Sequence, residues 1–245
     1  MANANVSPVT IRPEEAALFG KQAARWWDSK GPSAMLHRLN PVRLGFIREQ
    51  VDLAFGSASD GFAPLERRSA LDVGCGAGLV TEPLARLGAD VTGVDAAAEN
   101  IAVATGHAAR MGLDIAYRQG ELGALGLGTF DLVTCLEVLE HVADKPAFVA
   151  QLVRHLADGG LLVLSTPNRT LASRALLVGA AEALGAVPKG THHWKDFITP
   201  DELTDLLKAA GLTVVTCRGI AFNPAKGFTL SDDVALNYIL AARRA

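Results

Sequence analysis

The amino-terminal quarter of the chain carries the hydrophobic spacing of helices rather than of strands. Residues 1–13 are polar, and from Glu14 onward apolar and aromatic positions recur near helical spacing until a Gly-Pro pair interrupts them. A second helix is predicted from about Pro41 to Phe55, with Asn40 as its N-cap and Pro41 in its first turn. Two helices are therefore expected before any strand.

Further along, short apolar strands alternate with amphipathic helices, which is typical of parallel strands in a doubly wound sheet. The expected strands are Ser69–Val73, Asp90–Val94, Ile115–Arg118, Phe130–Cys135 and Leu161–Ser165. Two last strands, 212–217 and 237–241, are joined by a long non-helical connection, which favours an antiparallel pair at the edge. The prediction is an α/β fold with a mainly parallel seven-stranded sheet.

This change of pattern predicts two regions. Residues 1–64 form an amino-terminal helical extension that can act as a lid, and residues 65–245 form the α/β domain. Residues 168–198, which include an apolar helical stretch interrupted by charged residues, are expected to be an insertion on the substrate side of that domain.

Composition narrows the class of protein. The net charge of −3 provides no basic field for nucleic acid. Three widely spaced cysteines, without a Cys-x-x-Cys pair, are typical of free thiols in a cytoplasmic protein. The amino terminus lacks the pattern of a signal peptide, and no apolar stretch is long enough to predict a transmembrane helix.

The first predicted strand runs directly into a glycine-rich loop, residues 72–78. Gly74 and Gly76 let the backbone turn sharply and let a ligand approach without obstruction by a side chain. Open parallel sheets bind ligands at the carboxyl ends of their strands, and Asp95 ends the second strand, where a carboxylate can accept both hydroxyls of a ribose. The loop and Asp95 together predict a site for a nucleoside-containing cofactor.

The spacing within the loop discriminates between cofactors. The dinucleotide fingerprint is GxGxxG, whereas this loop reads GxGxG and has Asp72 two residues before Gly74. A carboxylate there would repel a pyrophosphate but suits the ammonium group of a methionine tail. The loop therefore favours S-adenosylmethionine, with a dinucleotide site or a simple tight turn as the alternatives.

Residues that could bind a metal ion or act in catalysis are expected just after the fourth strand, at Glu137, Glu140 and His141. If this segment is helical, the three residues fall at positions i, i+3 and i+4, on one face. They could then hold Mg²⁺ or a similar divalent cation whose remaining ligands are water or substrate. Alternatively, His141 alone acts as the general base that deprotonates a phenol before methyl transfer, or Glu140 and His141 only organise the start of a helix beside the cofactor. Both residues are candidates for the catalytic role.

The sequence resembles those of the bacterial ubiquinone-biosynthesis O-methyltransferases over nearly its whole length. Six segments carry the resemblance: Trp26–Gly31, Leu36–Leu44, Leu71–Gly76, Glu137–His141, Val187–His192 and the pair Asn237-Tyr238. The resemblance implies the Rossmann-like fold of class I methyltransferases. It also implies O-methylation of a phenolic or catechol hydroxyl on a polyprenylated intermediate, at either of two O-methylation steps.

Carried over residue by residue, the cofactor contacts of the family fall on Arg43, Gly74, Asp95 and Leu136. Arg43 would reach the carboxylate of the cofactor, since a guanidinium can bind it with two hydrogen bonds. Leu136 replaces a methionine of some members but keeps an apolar contact with the adenine. The metal-site pattern falls on the three residues after the fourth strand, and Glu121 aligns only loosely with an acid near the adenine.

The acceptor of this family carries a long isoprenoid tail, which lies in the lipid bilayer. A segment that contacts the membrane is therefore expected, and residues 170–190 are the candidate. Apolar residues there are flanked by Arg169, Arg174 and Lys189, a pattern that suits a helix lying in a membrane interface. The resemblance implies a cytoplasmic protein, peripheral on the inner face of the membrane. Its expected partners are a polyprenylated phenol or quinol and a ubiquinone-biosynthesis complex. A helix buried over the sheet is the alternative.

Two other functions are compatible with this pattern. The chain could be a class I methyltransferase acting on another small molecule, or a non-catalytic scaffold that has kept the fold. The intact set Asp72, Gly74, Gly76 and Asp95 argues against the scaffold.

Overall fold

A computed structural model describes residues 10–56, 61–175, 194–223, 225 and 227–244. The helices are α1 (Pro13–Gly20), α2 (Ala34–Phe55), α3 (Thr81–Arg86), α4 (Ala98–Arg110), α5 (Lys145–Arg154), α6 (Leu171–Ser173) and α7 (Pro200–Ala209). The strands are β1 (Ser69–Val73), β2 (Asp90–Asp95), β3 (Ala116–Gln119), β4 (Phe130–Leu136), β5 (Leu156–Pro167), β6 (Leu212–Asn223), β7 (Gly227–Ser231) and β8 (Asn237–Arg244).

The strands form one sheet in the order β3-β2-β1-β4-β5-β8-β6-β7. The pairs among β1 to β5 are parallel, whereas β8 runs antiparallel to both β5 and β6. The predicted doubly wound, mainly parallel sheet is therefore confirmed. The expected number of strands is wrong by one, because β7 pairs with β6 as a hairpin and takes the edge position.

Hydrophobic cores lie on both faces of the sheet, since consecutive strand residues point to opposite faces. Ala70 of β1 faces a core that includes Ile47 of α2. Leu71, the next residue, faces a second core that includes Leu152 of α5. Burying a leucine or isoleucine side chain completely contributes roughly 1.5–3 kcal/mol. The burial of Ile47 therefore both stabilises the fold and attaches α2 to the sheet.

The predicted boundary at residue 64, between the amino-terminal extension and the α/β domain, stays a prediction.

Helix α2 begins at Ala34, seven residues before the predicted start at Pro41. The expectation that Asn40 caps it is wrong, because Asn40 lies inside the helix and its side-chain amide donates to the carbonyl of Leu79 at 3.2 Å. One turn earlier, Nε2 of His37 lies 2.7 Å from the carbonyl oxygen of Trp26. These tertiary contacts hold the first turns in helical form although Pro41 interrupts the hydrogen-bond ladder.

Helix α7 begins as predicted, with Thr199 and Glu202 forming a reciprocal capping box. The helix expected from Leu171 to Leu184 is described only at its start, where Thr170 caps α6, and its remainder lies outside the described residues. Among the helices in the described ranges, none combines the length and the apolar character that crossing a bilayer requires.

Candidate active site

The glycine-rich loop turns at the carboxyl end of β1 in a conformation that favours glycine. Gly74 and Gly76 have φ values of 72° and 54°. A methyl group added at Gly74 would lie 2.3 Å from Cγ2 of Val138, and one added at Gly76 would lie 2.3 Å from Cζ3 of Trp26. Backbone conformation and close approach therefore both require glycine at these two positions.

Asp95, at the end of β2, holds the loop in place. One carboxylate oxygen accepts from the backbone nitrogen of Gly76 at 2.9 Å, and the other accepts from Ala97 at 2.9 Å and Asn100 at 3.1 Å. Burial raises the pKa of Asp95, and these hydrogen bonds oppose that rise only in part. The carboxylate lines the cavity beside the loop, at the place where the sequence predicts a ribose contact.

Asp72 is buried beneath the loop. Its two carboxylate oxygens accept hydrogen bonds from the hydroxyls of Thr81, at 2.6 Å, and Thr134, at 2.8 Å. Burial raises the pKa of Asp72 to about 6, against the opposing effect of these hydroxyls. The loop therefore presents a negative charge to the cavity at neutral pH.

Arg43 extends from α2 into the same cavity and is only 2% exposed. Its Nη2 lies 2.9 Å from Oε1 of Glu137. Its Nε and Nη2 donate no hydrogen bond of good geometry to any described residue. Because a buried guanidinium with unused donors is costly, the site favours an anionic group bound at Arg43.

Glu137 does not lie on a helix with Glu140 and His141, so that premise is wrong. It has a φ of 57°, and residues Leu139–His141 form a single 3-10 turn. Its carboxylate accepts from the hydroxyl of Ser165 at 2.8 Å and from the side-chain amide of Asn237 at 2.9 Å. β5 and β8 therefore hold Glu137 in its ion pair with the guanidinium from α2.

Glu140 and His141 lie beyond this turn and face each other in the cavity. Oε2 of Glu140 accepts from the hydroxyl of Thr166 at 2.9 Å, while Oε1 is buried without a hydrogen-bond partner among the described residues. Burial, and then the charge of Glu137, raise the pKa of Glu140. Oε1 lies 4.0 Å from Nε2 of His141, whose Nδ1 lies 3.1 Å from Oε2 of Glu15 in α1. Burial lowers the pKa of His141, but its carboxylate neighbours outweigh burial and raise it overall.

The predicted three-ligand metal set is not assembled in this arrangement. Within the described ranges, no group of three His, Cys, Asp or Glu side chains is placed to share a metal ion. Oε1 of Glu140 and Nε2 of His141 fit a cation as they stand, since one is unpartnered and both line the cavity. Glu137 does not, because its carboxylate is bound to Arg43 and Asn237.

A cavity of about 330 Å³ joins all of these groups. Its walls come from α1 and α2, from the carboxyl ends of β1, β2 and β4, and from β6 and β7. Leu136, the predicted adenine contact, lines it. All nine predicted site residues are near one another, and eight line the cavity directly, whereas Gly76 lies in the loop beneath Trp26.

Several functional contacts come from the amino-terminal segment and were missed by the sequence analysis. Trp26 lines the cavity, and Trp27 stacks on His107 at 3.6 Å while its Nε1 donates to the carbonyl of Ala77 in the loop. Glu121 accepts hydrogen bonds from the backbone of Thr10 and Ile11. The sequence offered one signal for these contacts, the segment Trp26–Gly31, which carries part of the family resemblance.

The comparisons with known proteins agree with this fold. A family model described as a methyltransferase domain matches residues 44–217. The magnesium protoporphyrin IX methyltransferase of Synechocystis PCC 6803, solved with bound S-adenosylmethionine, superimposes with a TM-score of 0.59 at 20% identity, covering 94% of this chain and 97% of that one. Its structure with bound S-adenosylhomocysteine gives 0.58 at 22% identity, covering 92% and 99%. The chain therefore has the fold of the S-adenosylmethionine-dependent methyltransferases.

Sequence relatives narrow the class to one family. The ubiquinone biosynthesis O-methyltransferase of Methylobacterium nodulans is 46% identical over 239 residues, which cover 96% of each chain. The protein of the same name from Caulobacter sp. strain K31 is 45% identical over 240 residues, covering 96% of this chain and 95% of that one. The chain belongs to the ubiquinone biosynthesis O-methyltransferase family.

Proposed function

We propose that this protein transfers a methyl group from S-adenosylmethionine to a phenolic or catechol hydroxyl of a polyprenylated intermediate in ubiquinone biosynthesis. One or both of the O-methylation steps fall within this proposal. The observation that carries it is the single cavity that contains both the cofactor loop, with Asp95, and the Glu140-His141 pair. Methyl transfer requires donor and acceptor to be held in line in such a shared site.

The cofactor is proposed to bind across the loop, where each of its groups has a partner. Asp95 would accept the ribose hydroxyls, Asp72 would attract the ammonium group, and Arg43 would bind the carboxylate with its unused donors. Gly74 lines the cavity beside these groups, and Leu136 would pack against the adenine. When bound, S-adenosylmethionine supplies an electrophilic methyl group on a sulfonium.

The acceptor is proposed to lose its proton to the Glu140-His141 pair. A phenol with a pKa near 10 is a weak nucleophile until it is deprotonated, so a base within the cavity is needed. Nε2 of His141 and Oε1 of Glu140 both face the cavity and are the candidates for this proton transfer. A divalent cation held by the same two residues would favour the phenolate as well.

The wall of the cavity supports a long apolar acceptor. Besides the Glu140-His141 pair, it includes Leu36, Ile220, Phe222 and Phe228, and the two phenylalanine rings contact each other edge to face at 5.3 Å. Phe222 is 59% exposed, and we propose that an apolar path leads along these residues from the cavity to the surface. Such a path suits a substrate whose ring reacts inside while its tail extends outward.

Peripheral contact of residues 170–190 with the inner face of the membrane, on the cytoplasmic side, is part of the proposal, as is membership of a ubiquinone-biosynthesis complex. Of that stretch the structure describes residues 170–175, where Leu171 is 76% exposed. Sedimentation with vesicles that contain anionic lipid should carry the full chain into the pellet. Protein that remains in the supernatant would refute this contact.

The test is a methylation assay with a catechol analogue that carries a short isoprenoid tail, performed with and without a chelator. We expect a methylated product, and Glu140→Gln should reduce its rate by roughly 100-fold. Loss of activity on chelation, restored by Mg²⁺, would establish the cation, and full activity would exclude it. No product despite S-adenosylmethionine binding would indicate another acceptor, and no cofactor binding would indicate a scaffold.

A further inference from the structure

Helix α1 places a buried carboxylate against the histidine of the proposed acid-base pair. Oε2 of Glu15 lies 3.1 Å from Nδ1 of His141, and the two side chains are only 10% and 13% exposed. Nε2, on the opposite side of the same ring, lies 4.0 Å from Oε1 of Glu140. The imidazole therefore lies between two carboxylates, in contact with Glu15 on one side and 4.0 Å from Glu140 on the other.

We propose that Glu15 is a positioning residue for His141, a role that rests on the proposed function. In the neutral ring its carboxylate accepts the Nδ1–H across this 3.1 Å contact, which leaves Nε2 as the unprotonated nitrogen that faces the cavity. A neutral imidazole carries one N–H, and the hydrogen bond at one nitrogen decides which nitrogen carries it. Nε2 needs a lone pair either to accept a proton from the acceptor hydroxyl or to ligate a cation. Positioning by Glu15 would therefore favour His141 both as a general base and as a metal ligand.

The orientation of the ring is fixed as well. The ring of Phe19, one turn further along α1, meets the imidazole edge to face at 4.9 Å and 79°. One helix therefore supplies both the acceptor for Nδ1 and the surface that prevents the ring from rotating.

Helix α1 is itself anchored at both ends by contacts that do not involve the histidine. Before it, Arg12 forms two hydrogen bonds with Asp196, at 2.7 and 3.2 Å. At its carboxyl end, a methyl group added at Gly20 would lie 2.7 Å from Oε2 of Glu99 in α4, so the backbone there is closely packed. The position of Glu15 is thus set by the fold, and α1 contributes to the reaction as well as covering the cavity.

The test compares Glu15→Gln and Glu15→Leu with the same substitutions at Glu14, the exposed neighbour. The Leu variant removes the acceptor atom and should lower kcat by roughly 10- to 100-fold, with the affinity for S-adenosylmethionine within about twofold of wild type. The Gln variant keeps an acceptor oxygen and should lie between wild type and Leu. Both Glu14 variants should match wild type.

A direct readout is the ¹⁵N spectrum of the histidine side chains, with His141 assigned from a His141→Gln sample. At a pH above the raised pKa of His141, where the ring is neutral, we expect the proton on Nδ1 in the wild type and a mixture of both tautomers in Glu15→Leu. Adding Glu15→Leu to His141→Gln should cost no further activity, because the two residues act as one unit.

A folded Glu15→Leu variant with kcat within twofold of wild type, or a wild-type proton on Nε2, would overturn the inference. Should Glu15→Leu fail to fold, the wild-type spectrum and the Gln variant decide the question. If the wild type methylates no catechol analogue, the proposed function fails, whereas the tautomer measurement still tests the role of Glu15.

Discussion

Asp72 is a buried carboxylate held by two hydroxyl groups, so its ionisation determines the charge that the glycine-rich loop presents to a ligand. Burial raises its pKa to about 6. Above that pH the group is an anion and attracts an ammonium group, and below it the attraction is lost. The affinity of the loop for a zwitterionic methionine tail should therefore depend on pH in a range where free aspartate does not titrate.

The affinity for S-adenosylmethionine should fall by roughly threefold between pH 7.5 and 5.5, as Asp72 becomes protonated. Asp72→Asn should bind about tenfold more weakly at pH 7.5 and should lose most of this pH dependence, which isothermal titration calorimetry would measure. Asp114→Asn, on an exposed residue outside the cavity, is the control. A pH profile unchanged in Asp72→Asn would assign the dependence to another group.

At the scale of residues, the sequence predicted what lies close to the ends of strands. Asp72, Gly74 and Asp95 could be grouped because parallel strands bring their carboxyl ends to one edge of the sheet. The contact between Glu15 and His141 could not, since it joins residues far apart in sequence and has no local signature. It depends on where α1 packs, which the hydrophobic pattern does not specify.

At the scale of elements, α2 carries a glycine that the fold does not require. Gly45 lies inside the helix on an exposed face, and a methyl group added there would meet no atom within 4 Å. Glycine in a helix interior costs roughly 0.5–1 kcal/mol relative to alanine, because the unfolded chain gains freedom.

Gly45→Ala should therefore raise the free energy of unfolding by about 0.5–1 kcal/mol and Tm by roughly 1–4 °C, measured by thermal unfolding. Gly76→Ala is the opposing case, because the added methyl group would lie 2.3 Å from the ring of Trp26 at a φ of 54°. It should lower Tm and weaken cofactor binding. A decrease in Tm for Gly45→Ala would mean that α2 is not limited by its own helical propensity.

The elements that the sequence analysis misjudged share a physical cause. Pro41 and Asn40 have the local character of a helix start, but tertiary contacts extend α2 by seven residues in front of Pro41. The spacing of Glu137 and His141 suits a helix, yet Ser165 and Asn237 hold Glu137 in a left-handed conformation. In both places, long-range hydrogen bonds outweigh local preference, and local preference is all that a pattern can report.

At the scale of the whole molecule, the cavity lies between the amino-terminal helices and the sheet, so neither part builds it alone. The backbone of Thr10 and Ile11 is bound to Glu121 beside β3, and the side chain of Arg12 to Asp196 before α7. These contacts close the cavity from the amino-terminal side. The proposed apolar path follows β6 and β7, at the hairpin that the sequence analysis did not predict.

If the acceptor tail follows that path, Phe222→Ser should raise KM for an acceptor with a long isoprenoid tail by roughly 5- to 20-fold, since about 1–2 kcal/mol of apolar contact is lost. For an acceptor without a tail, KM should change less than twofold, and kcat should be unchanged for both. Phe62→Ser is the matched control, because Phe62 is 89% exposed and lies outside the cavity. Equal effects of Phe222→Ser on both acceptors would show that the tail takes another route, while a methylated product in the same assay would leave the proposed reaction standing.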